Sequence, residues 1–396
     1  MFQINKKIPK SLGRAGIIST PHGEIQTPAF VAVGTKATVK SLTPEQIKET
    51  GSQIVLANTY HLYLEPGEKI IKKIGGLHKF MNWSGPMMTD SGGFQAFSLG
   101  AAYGNKLSKF IGIEKLKVEK LNDLEIENKR AKITEDGVEF RSIIDGSKHF
   151  FTPEKSMQIQ RDLGADIIFA FDECTSPHAS KDYLKEAMER THRWAERCLA
   201  CFSSPGQGGG GVGLFGIVQG GRYEDLRKES AKKISGLGFE GFGIGGSFVK
   251  EDIATAVKWV NEILPEEKPR HLLGVGEPID LILGVENGCD TFDCVAPTRM
   301  ARNGSLYTSK GKINILNSKY KNILKSVEEG CGCYTCQNYT SSYVSHLFRS
   351  KEMLAATLAT IHNLYFINNL VSQIRESILS GTFQKFRNKF LGTYKI

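Results

Sequence analysis

The chain has 396 residues, of which 40% are hydrophobic and 23% are charged; this composition is typical of a globular protein with a large core. The formal net charge of +9 fits a polyanionic partner such as a nucleic acid, and equally a generic basic surface. No signal peptide and no apolar stretch of membrane-spanning length is recognised, and eight cysteines are too sparse for a disulfide scaffold, so we expect a cytoplasmic protein that does not associate with membranes.

Short apolar runs alternate with longer helical patterns along the chain. Candidate strands begin at Phe30, Gln53, Met87, Ile167, Leu214, Phe242, His271 and Asp290. Helical patterns cover 153–164, 180–202, 222–236, 250–264 and 277–287, and Thr43 and Thr152 are good N-caps. Continuous apolar strands are typical of a parallel sheet buried on both faces. We therefore predict the α/β class, with one (β/α)8 TIM barrel over 1–396 as the catalytic domain; an open doubly wound sheet is the alternative.

Three segments interrupt this alternation. Residues 101–131 are Lys-rich and of mixed charge, and we interpret them as an insertion. Residues 203–213 (SSPGQGGGGVG) have the composition of a flexible loop. A cysteine cluster follows the last candidate strand, at 300–350, before a C-terminal helix predicted at about 352–379. We predict an inserted zinc-binding subdomain over 300–365, which includes the start of that helix.

Two aspartates stand at the ends of candidate strands and are the predicted catalytic pair. Asp90 lies in TDSGGFQ and Asp293 in TFDCV. Side chains at the carboxyl ends of barrel strands form the active sites of this fold. Two carboxylates at one glycosidic carbon can divide the work, since one attacks C1′ and the other transfers the proton of the base. The alternative for either residue is a helix cap or an ion pair.

Further strand ends carry groups suited to a purine. The carboxylate of Asp172 can accept from N1–H and the amino group of guanine, and the amide of Gln219 can both donate and accept. Phe94 either stacks on the base or packs in the core. The letters Gly241-x-Gly243-x-x-Gly246 match a dinucleotide fingerprint, but they lie too far along the chain to open the first βαβ unit.

The spacing Cys331-x-Cys333-x-x-Cys336 predicts a metal site. Three thiolates and a distant histidine complete the closed tetrahedron of a structural zinc. His362 and His346 are both candidates for the fourth ligand on spacing alone. Cys198 and Cys201, in contrast, lie in a long helical stretch without a second pair, which favours buried helix cysteines.

Many sequence motifs of this chain, in their order, resemble those of the tRNA-guanine transglycosylase family of bacterial type. These motifs are TPAFVAVGTKATVK, NTYHLYLEPG, DSGGFQAFSL, DGSKHFFTPEKSMQIQ, FAFDECTSP, FGIVQGG, HLLGVG, FDCVAPTRMARNG, CxCxxC and IHNLYF. The resemblance covers nearly the whole chain except 101–131 and 203–213. It implies a (β/α)8 barrel with a zinc subdomain near its C-terminal end.

By motif, the resemblance makes Asp293 the nucleophile and Asp90 the acid/base, and it selects His362 over His346 as the zinc ligand. The residues that it implies for base binding are Ser91, Gly92, Gly93, Phe94, Asp172, Gln219, Gly245 and Gly246. Those that it implies for tRNA binding are Gly274, Val275, Gly276, Glu277, Pro278, Ile279, Asp280, Thr298, Arg299, Met300, Ala301 and Arg302.

The activity implied by the resemblance is the exchange of the wobble guanine of a tRNA for 7-aminomethyl-7-deazaguanine, through a covalent aspartyl–ribosyl intermediate, in queuosine biosynthesis. The implied partners are a tRNA with a GU(N) anticodon, the deazaguanine base and a second copy of the chain in a homodimer. One structural zinc per subunit is expected, and no other cofactor.

Cys174 and Val249 resemble the bacterial type, but Ser247 stands where the family commonly has Leu, which leaves the incoming base open. The alternatives are a non-catalytic tRNA-binding subunit and a zinc hydrolase or nucleosidase on the same barrel.

Overall fold

The computed structural model describes residues 2–96, 131–177, 179–203, 211–246 and 252–395. The predicted insertion at 101–131 lies outside the described residues except for Ala131, and so does most of the predicted loop at 203–213. Ser247 and Val249, which bear on the choice of incoming base, also lie outside them.

Eight parallel strands of the described chain close into a barrel, as predicted, and the open-sheet alternative is wrong. The barrel strands are β4 (Ala29–Val33), β5 (Val55–Ala57), β6 (Met87–Thr89), β10 (Ile167–Phe169), β11 (Gly213–Val218), β12 (Gly241–Ile244), β13 (Arg270–Leu272) and β14 (Thr291–Asp293). Each strand neighbours the next barrel strand in the chain, and β14 returns to β4 with Phe292 opposite Phe30. Nearly all of their residues are buried because helices cover the outside of a barrel whose interior is filled.

The other strands form small antiparallel sheets. The N-terminal sheet joins β1 (Phe2–Lys7), β2 (Arg14–Thr20) and β3 (Gly23–Thr27). A second sheet joins β7 (Ala131–Ile133), β8 (Val138–Arg141) and β9 (Lys148–Phe151), and a hairpin joins β15 (Ser305–Thr308) and β16 (Gly311–Asn314). Val138 and Phe140 are buried while their neighbours on β8 are exposed, so this sheet covers the core with one face.

The helices predicted at 153–164, 180–202, 222–236, 250–264 and 277–287 begin within three residues of the expected positions, and the structure adds further helices. The helices are α1 (Pro44–Glu49), α2 (Thr59–Leu64), α3 (Glu68–Ile74), α4 (Leu77–Met81), α5 (Pro153–Leu163), α6 (Lys181–Phe202), α7 (Glu224–Ser235), α8 (Ile253–Asn261), α9 (Pro278–Glu286), α10 (Ala296–Arg302), α11 (Tyr334–Asn338), α12 (Ser341–Arg349), α13 (Met353–Leu379) and α14 (Phe383–Thr393). Thr43 caps α1 in a full capping box and Thr152 caps α5, as their sequence context predicted. In the part of the chain that the structure describes, none of the helices combines the length and apolarity that crossing a lipid bilayer requires.

Packing divides the chain into two compact units. The first contains Met1–Ala57, Met81–Met87 and His271–Ile396, and the second contains Asn58–Phe80 and Met88–Arg270. In the first unit, a cluster that includes Leu306, Ile315 and Leu358 forms the core under the cysteine-bearing segment. The boundaries 300–365 for a zinc subdomain remain a prediction.

Candidate active site

In the second unit, Asp90 follows β6 directly and is held by three hydrogen-bond donors. The backbone N–H of Thr59 donates to Oδ1 at 2.7 Å. The side-chain amides of Asn58 and Gln95 both donate to Oδ2, with Gln95 at 2.8 Å. Asn58 and Thr59 lie at the start of α2, and Gln95 lies five residues after Asp90, so two separate segments of the chain supply the donors. The donors fix the orientation of a half-buried carboxylate.

Asp172 forms the centre of a buried polar cluster in the same unit. The hydroxyl of Ser91 donates to Oδ1 at 2.7 Å, and the amide Nε2 of Gln219 donates to Oδ2 at 2.7 Å. The three residues follow β6, β10 and β11, so three predicted site residues from three strand ends are brought into contact. Both donors hold the carboxylate in one orientation, and a carboxylate offers about four acceptor positions in all.

Glycines leave room around this cluster. A Cβ on Gly93 would lie 2.3 Å from the carbonyl oxygen of Asp172, and one on Gly245 would lie 2.8 Å from Ile217. Gly246 has a φ of +90°, and a Cβ there would lie 3.1 Å from Oε1 of Gln219. The backbone after β12 therefore passes directly beside the polar cluster, where a side chain would collide. Phe94 follows Gly93 and is half-buried.

A buried histidine, His192, is linked to Gln219 through the hydroxyl of Ser230. The N–H of Gln219 donates to Oγ of Ser230 at 3.1 Å, and Ser230 lies 3.0 Å from Nε2 of His192. A serine oxygen has two lone pairs and one proton, so Oγ accepts from Gln219 and shares a second hydrogen bond with Nε2. Burial lowers the pKa of His192 to about 4 and keeps the imidazole neutral. Sequence reasoning missed His192, whose helical pattern indicated only packing.

In the first unit, Asp293 ends β14 and is held from two sides. The N–H of Gly274 donates to Oδ1 at 2.7 Å, and Nε2 of His271 lies 3.1 Å from the same oxygen. Nδ1 of His271 lies 2.9 Å from the hydroxyl of Thr291. Since an ionised carboxylate only accepts, Nε2 carries a proton, and Nδ1 shares a hydrogen bond with the hydroxyl of Thr291. The side chain of Asp293 is 14% exposed, so solvent and ligands can reach it.

His271 is a second residue that sequence reasoning missed as part of the site. In the sequence, His271 indicates only the start of a candidate strand. Its partners Asp293 and Thr291 lie 22 and 20 residues further along the chain. Only the pairing of β13 with β14, which sets His271 opposite Thr291, brings them together.

The segments predicted to contact tRNA are partly buried. Arg299 is exposed, and Glu277, Met300 and Arg302 are half-buried. Val275, Gly276, Pro278, Asp280, Thr298 and Ala301 are buried. Arg302 donates to the carbonyl of Thr298 at 2.8 Å, which orders its guanidinium on α10. The exposed cation in this segment is at Arg299.

The cysteine cluster and His362 form a compact donor set in the first unit. The ligand atoms of Cys331, Cys333, Cys336 and His362 all lie within 4.8 Å of one another. Nδ1 of His362 lies 3.5 Å from Sγ of Cys333 and 3.3 Å from Sγ of Cys336. Tetrahedral zinc with ordinary bond lengths places sulfur and nitrogen about 3.6 Å apart. The four residues fit zinc, and in the described chain His362 rather than His346 joins them.

The helix that carries His362 also supports the segment after Asp293. Nε2 of His362 lies 2.7 Å from the carbonyl oxygen of Tyr307, which is the usual way of fixing a metal-binding imidazole. The amide of Asn363 accepts from the N–H of Tyr307 and donates to the carbonyls of Pro297 and Ser305. The zinc region and α10 are thus joined through one buried side chain.

Comparisons with known proteins agree with this geometry. The family model for queuine tRNA-ribosyltransferase matches residues 10–396. The chain is similar to a queuine tRNA-ribosyltransferase of Thermoanaerobacter pseudethanolicus, with 50% identity over 99% of this chain and 97% of the relative. It is also similar to proteins of the same name from Desulforamulus reducens (48% identity, 99% and 98% covered) and Staphylococcus aureus (47% identity, 98% and 95% covered). The chain therefore belongs to the queuine tRNA-ribosyltransferase family, and it is an enzyme of the pentosyltransferase class.

Proposed function

We propose that this enzyme exchanges the wobble guanine of a tRNA for 7-aminomethyl-7-deazaguanine, as a step of queuosine biosynthesis. The observation that carries the proposal is the Asp172 carboxylate, fixed between Ser91 and Gln219 beside the Gly245–Gly246 backbone. An acceptor next to an amide complements the N1–H, amino and O6 edge of guanine. Adenine has an acceptor at N1 and a donor at its 6-amino group, the reverse of guanine, so it fits these protein groups poorly.

The reaction follows from the two aspartates in their proposed roles. Asp293 attacks C1′ of the target nucleoside, so a C1′–O bond forms while the bond from C1′ to N9 breaks, and Asp90 protonates the departing guanine. The deazaguanine then occupies the emptied base site. Its N9 proton passes to Asp90, N9 attacks C1′, and the bond to Asp293 breaks. Two inversions retain the configuration at C1′.

The two acids are held in ways that suit these roles. Asp293 must present one oxygen to carbon, and its Oδ1 is fixed by Gly274 and His271. Asp90 must remain in one position while it accepts and returns a proton, and it is fixed by the amides of Asn58 and Gln95. Nucleophile and acid/base are thereby assigned to residues with defined orientations.

Recognition of tRNA is proposed for Gly274–Asp280 and Thr298–Arg302. Arg299 is suited to a phosphate, whereas the buried members of these segments would support the backbone that faces the nucleic acid. Zinc, when bound by Cys331, Cys333, Cys336 and His362, would supply structural stability rather than chemistry, because four protein ligands leave no position for water. A tRNA with a GU(N) anticodon, a homodimer and a cytoplasmic location complete the proposal.

The replacement Asp293→Ala tests the proposed nucleophile. We expect it to lower incorporation of labelled guanine into tRNA by more than about 1,000-fold, because no covalent intermediate can form. Wild-type enzyme should form a denaturant-resistant complex with tRNA, and the variant should not. The matched variant Asp90→Asn should still form that complex at a reduced rate, since it retains the nucleophile.

The alternatives give different results in the same assay. A non-catalytic tRNA-binding subunit would bind tRNA without incorporating guanine. A zinc hydrolase or nucleosidase would release guanine without incorporating any base. Normal incorporation by Asp293→Ala would refute the assignment of the nucleophile.

A further inference from the structure

Arg227 is a fully buried cation on α7 that the reaction proposed above does not use. Its side chain has no access to solvent, and burial lowers its pKa to about 10, which still leaves it charged at neutral pH. A buried charge is costly unless its hydrogen bonds are satisfied. The acceptors of the hydrogen bonds from Arg227 therefore indicate which part of the structure this cation holds in place.

The guanidinium joins two turns that follow neighbouring barrel strands. Nε donates to the carbonyl of Gly221 at 2.6 Å, and Nη1 donates to the carbonyl of Gly245 at 2.8 Å. Gly221 comes two residues after Gln219, and Gly245 directly follows β12. A Cβ on Gly246 would lie 2.8 Å from Nη2 of Arg227. The Arg227 guanidinium thus packs against the backbone that borders the polar cluster of Ser91, Asp172 and Gln219.

The bond to Gly245 decides where the next N–H is directed. In a trans peptide the C=O and the N–H point in opposite directions. With the carbonyl of Gly245 turned toward Arg227, the N–H of Gly246 is turned away from it. Gly246 is buried, and within 2–96, 131–177, 179–203, 211–246 and 252–395 no group accepts a hydrogen bond from this N–H. Buried backbone donors without a partner are rare and mark a place for a ligand.

We infer that Arg227 is a positioning residue for base recognition, which presents the N–H of Gly246 to O6 of the bound purine. A cation on the carbonyl of a peptide also polarises its N–H and strengthens it as a donor. This inference rests on the proposed function and adds to it a residue that does not touch the base. The donor to O6 would complement Asp172, which receives the N1–H and amino protons.

The test compares guanine with 6-thioguanine in wild-type enzyme and in Arg227→Gln. 6-Thioguanine keeps the N1 proton and the amino group but replaces O6 with a weakly accepting sulfur. The measured quantities are KM for guanine incorporation into tRNA and the inhibition constant of 6-thioguanine in that assay. We expect the preference for guanine to fall about fivefold in Arg227→Gln, the effect of one misplaced hydrogen bond. Arg227→Lys, which keeps the charge, should restore part of it.

The matched control is Arg375→Gln. Arg375 is also buried and donates to two backbone carbonyls, of Gly16 and Thr27, but these belong to the N-terminal sheet. It should leave the preference unchanged even if it lowers the melting temperature. If Arg227→Gln does not fold, the comparison is made with Arg227→Lys and Arg375→Lys. An unchanged preference in a folded Arg227 variant overturns the inference alone, whereas absence of guanine incorporation by wild-type enzyme overturns the proposed function.

Discussion

His271 illustrates how one buried side chain can hold a carboxylate that is proposed as the nucleophile. Its imidazole connects the hydroxyl of Thr291 to Oδ1 of Asp293, and these two bonds fix the ring plane. The N–H of Gly274 holds the same oxygen, so the carboxylate has little rotational freedom. A nucleophile that need not search for its orientation reacts faster.

We expect His271→Phe to lower kcat for guanine incorporation by about tenfold to a hundredfold and to change KM for guanine by less than about twofold. Phenylalanine preserves the packing but removes the donor to Asp293, whose proposed role is in bond making and not in binding of the free base. Steady-state kinetics with saturating tRNA would measure both constants. The control Thr291→Val removes only the hydroxyl and should have a smaller effect on kcat. An unchanged kcat in folded His271→Phe would show that Gly274 alone suffices.

At the scale of elements, the barrel strands could be predicted because they are continuous apolar runs with polar or glycine residues at their ends. All eight predicted starts fall within two residues of an observed barrel strand. Asp90, Asp172 and Gln219 followed from the same pattern, since each comes directly after such a run. The burial of parallel strands on both faces makes this pattern strong.

The antiparallel sheets were not predicted from the sequence. β1 (FQINKK) is rich in polar residues and β7 (AKI) has only three residues, and the side chains of both strands are exposed or half-buried. A strand with one face in solvent has fewer apolar residues, and strand prediction depends on runs of apolar residues. Residues that act through distant partners, such as His271 and Arg227, were missed for a related reason, because hydrogen bonds between elements leave no local pattern.

A prediction about zinc follows from the long helix α13, which carries His362. His362 and Asn363 are neighbours on this helix, so loss of the metal should also loosen the bonds from Asn363 to Pro297 and Ser305. We expect purified protein to contain one zinc per chain, measured by plasma mass spectrometry. His362→Ala should lose the metal and lower the melting temperature by at least about 5 °C.

The control for zinc is His346→Ala, which removes the other histidine that the spacing allowed. His346 is exposed on α12 and should be dispensable for the metal. Full zinc content in His362→Ala, or its loss in His346→Ala, would refute the assigned donor set. Affinity for tRNA should fall in His362→Ala if the bonds from Asn363 order the Thr298–Arg302 segment.

At the scale of the whole molecule, each compact unit carries one of the two aspartates and its supporting bonds. Asp90 and the polar cluster around Asp172 belong to the second unit. Asp293, the segments proposed to bind tRNA and the three cysteines with His362 belong to the first. Stability of either unit is therefore a condition for activity, and buried titratable groups make that stability depend on pH.

His192 gives this dependence a direction. Its pKa is lowered by burial to about 4 from 6.5, so the unfolded chain binds a proton at a pH where the folded chain does not. The contribution to stability is complete above pH 6.5 and is lost as the pH falls from about 6.5 to about 4; the loss is at most about 3 kcal/mol. Protonation would also place a charge beside Ser230, whose hydroxyl oxygen accepts from the N–H of Gln219.

We expect His192→Gln to reduce the loss of unfolding free energy between pH 7 and pH 4.5. Glutamine can keep a bond to Ser230 but does not titrate, so the proton-linked part of the loss disappears while that from carboxylates remains. Urea unfolding at both pH values, followed by tryptophan fluorescence, would give the difference. The control His346→Gln removes an exposed histidine and should retain the full loss. If the two variants lose equal free energy on acidification, His192 is not the buried group that makes the second unit sensitive to acid.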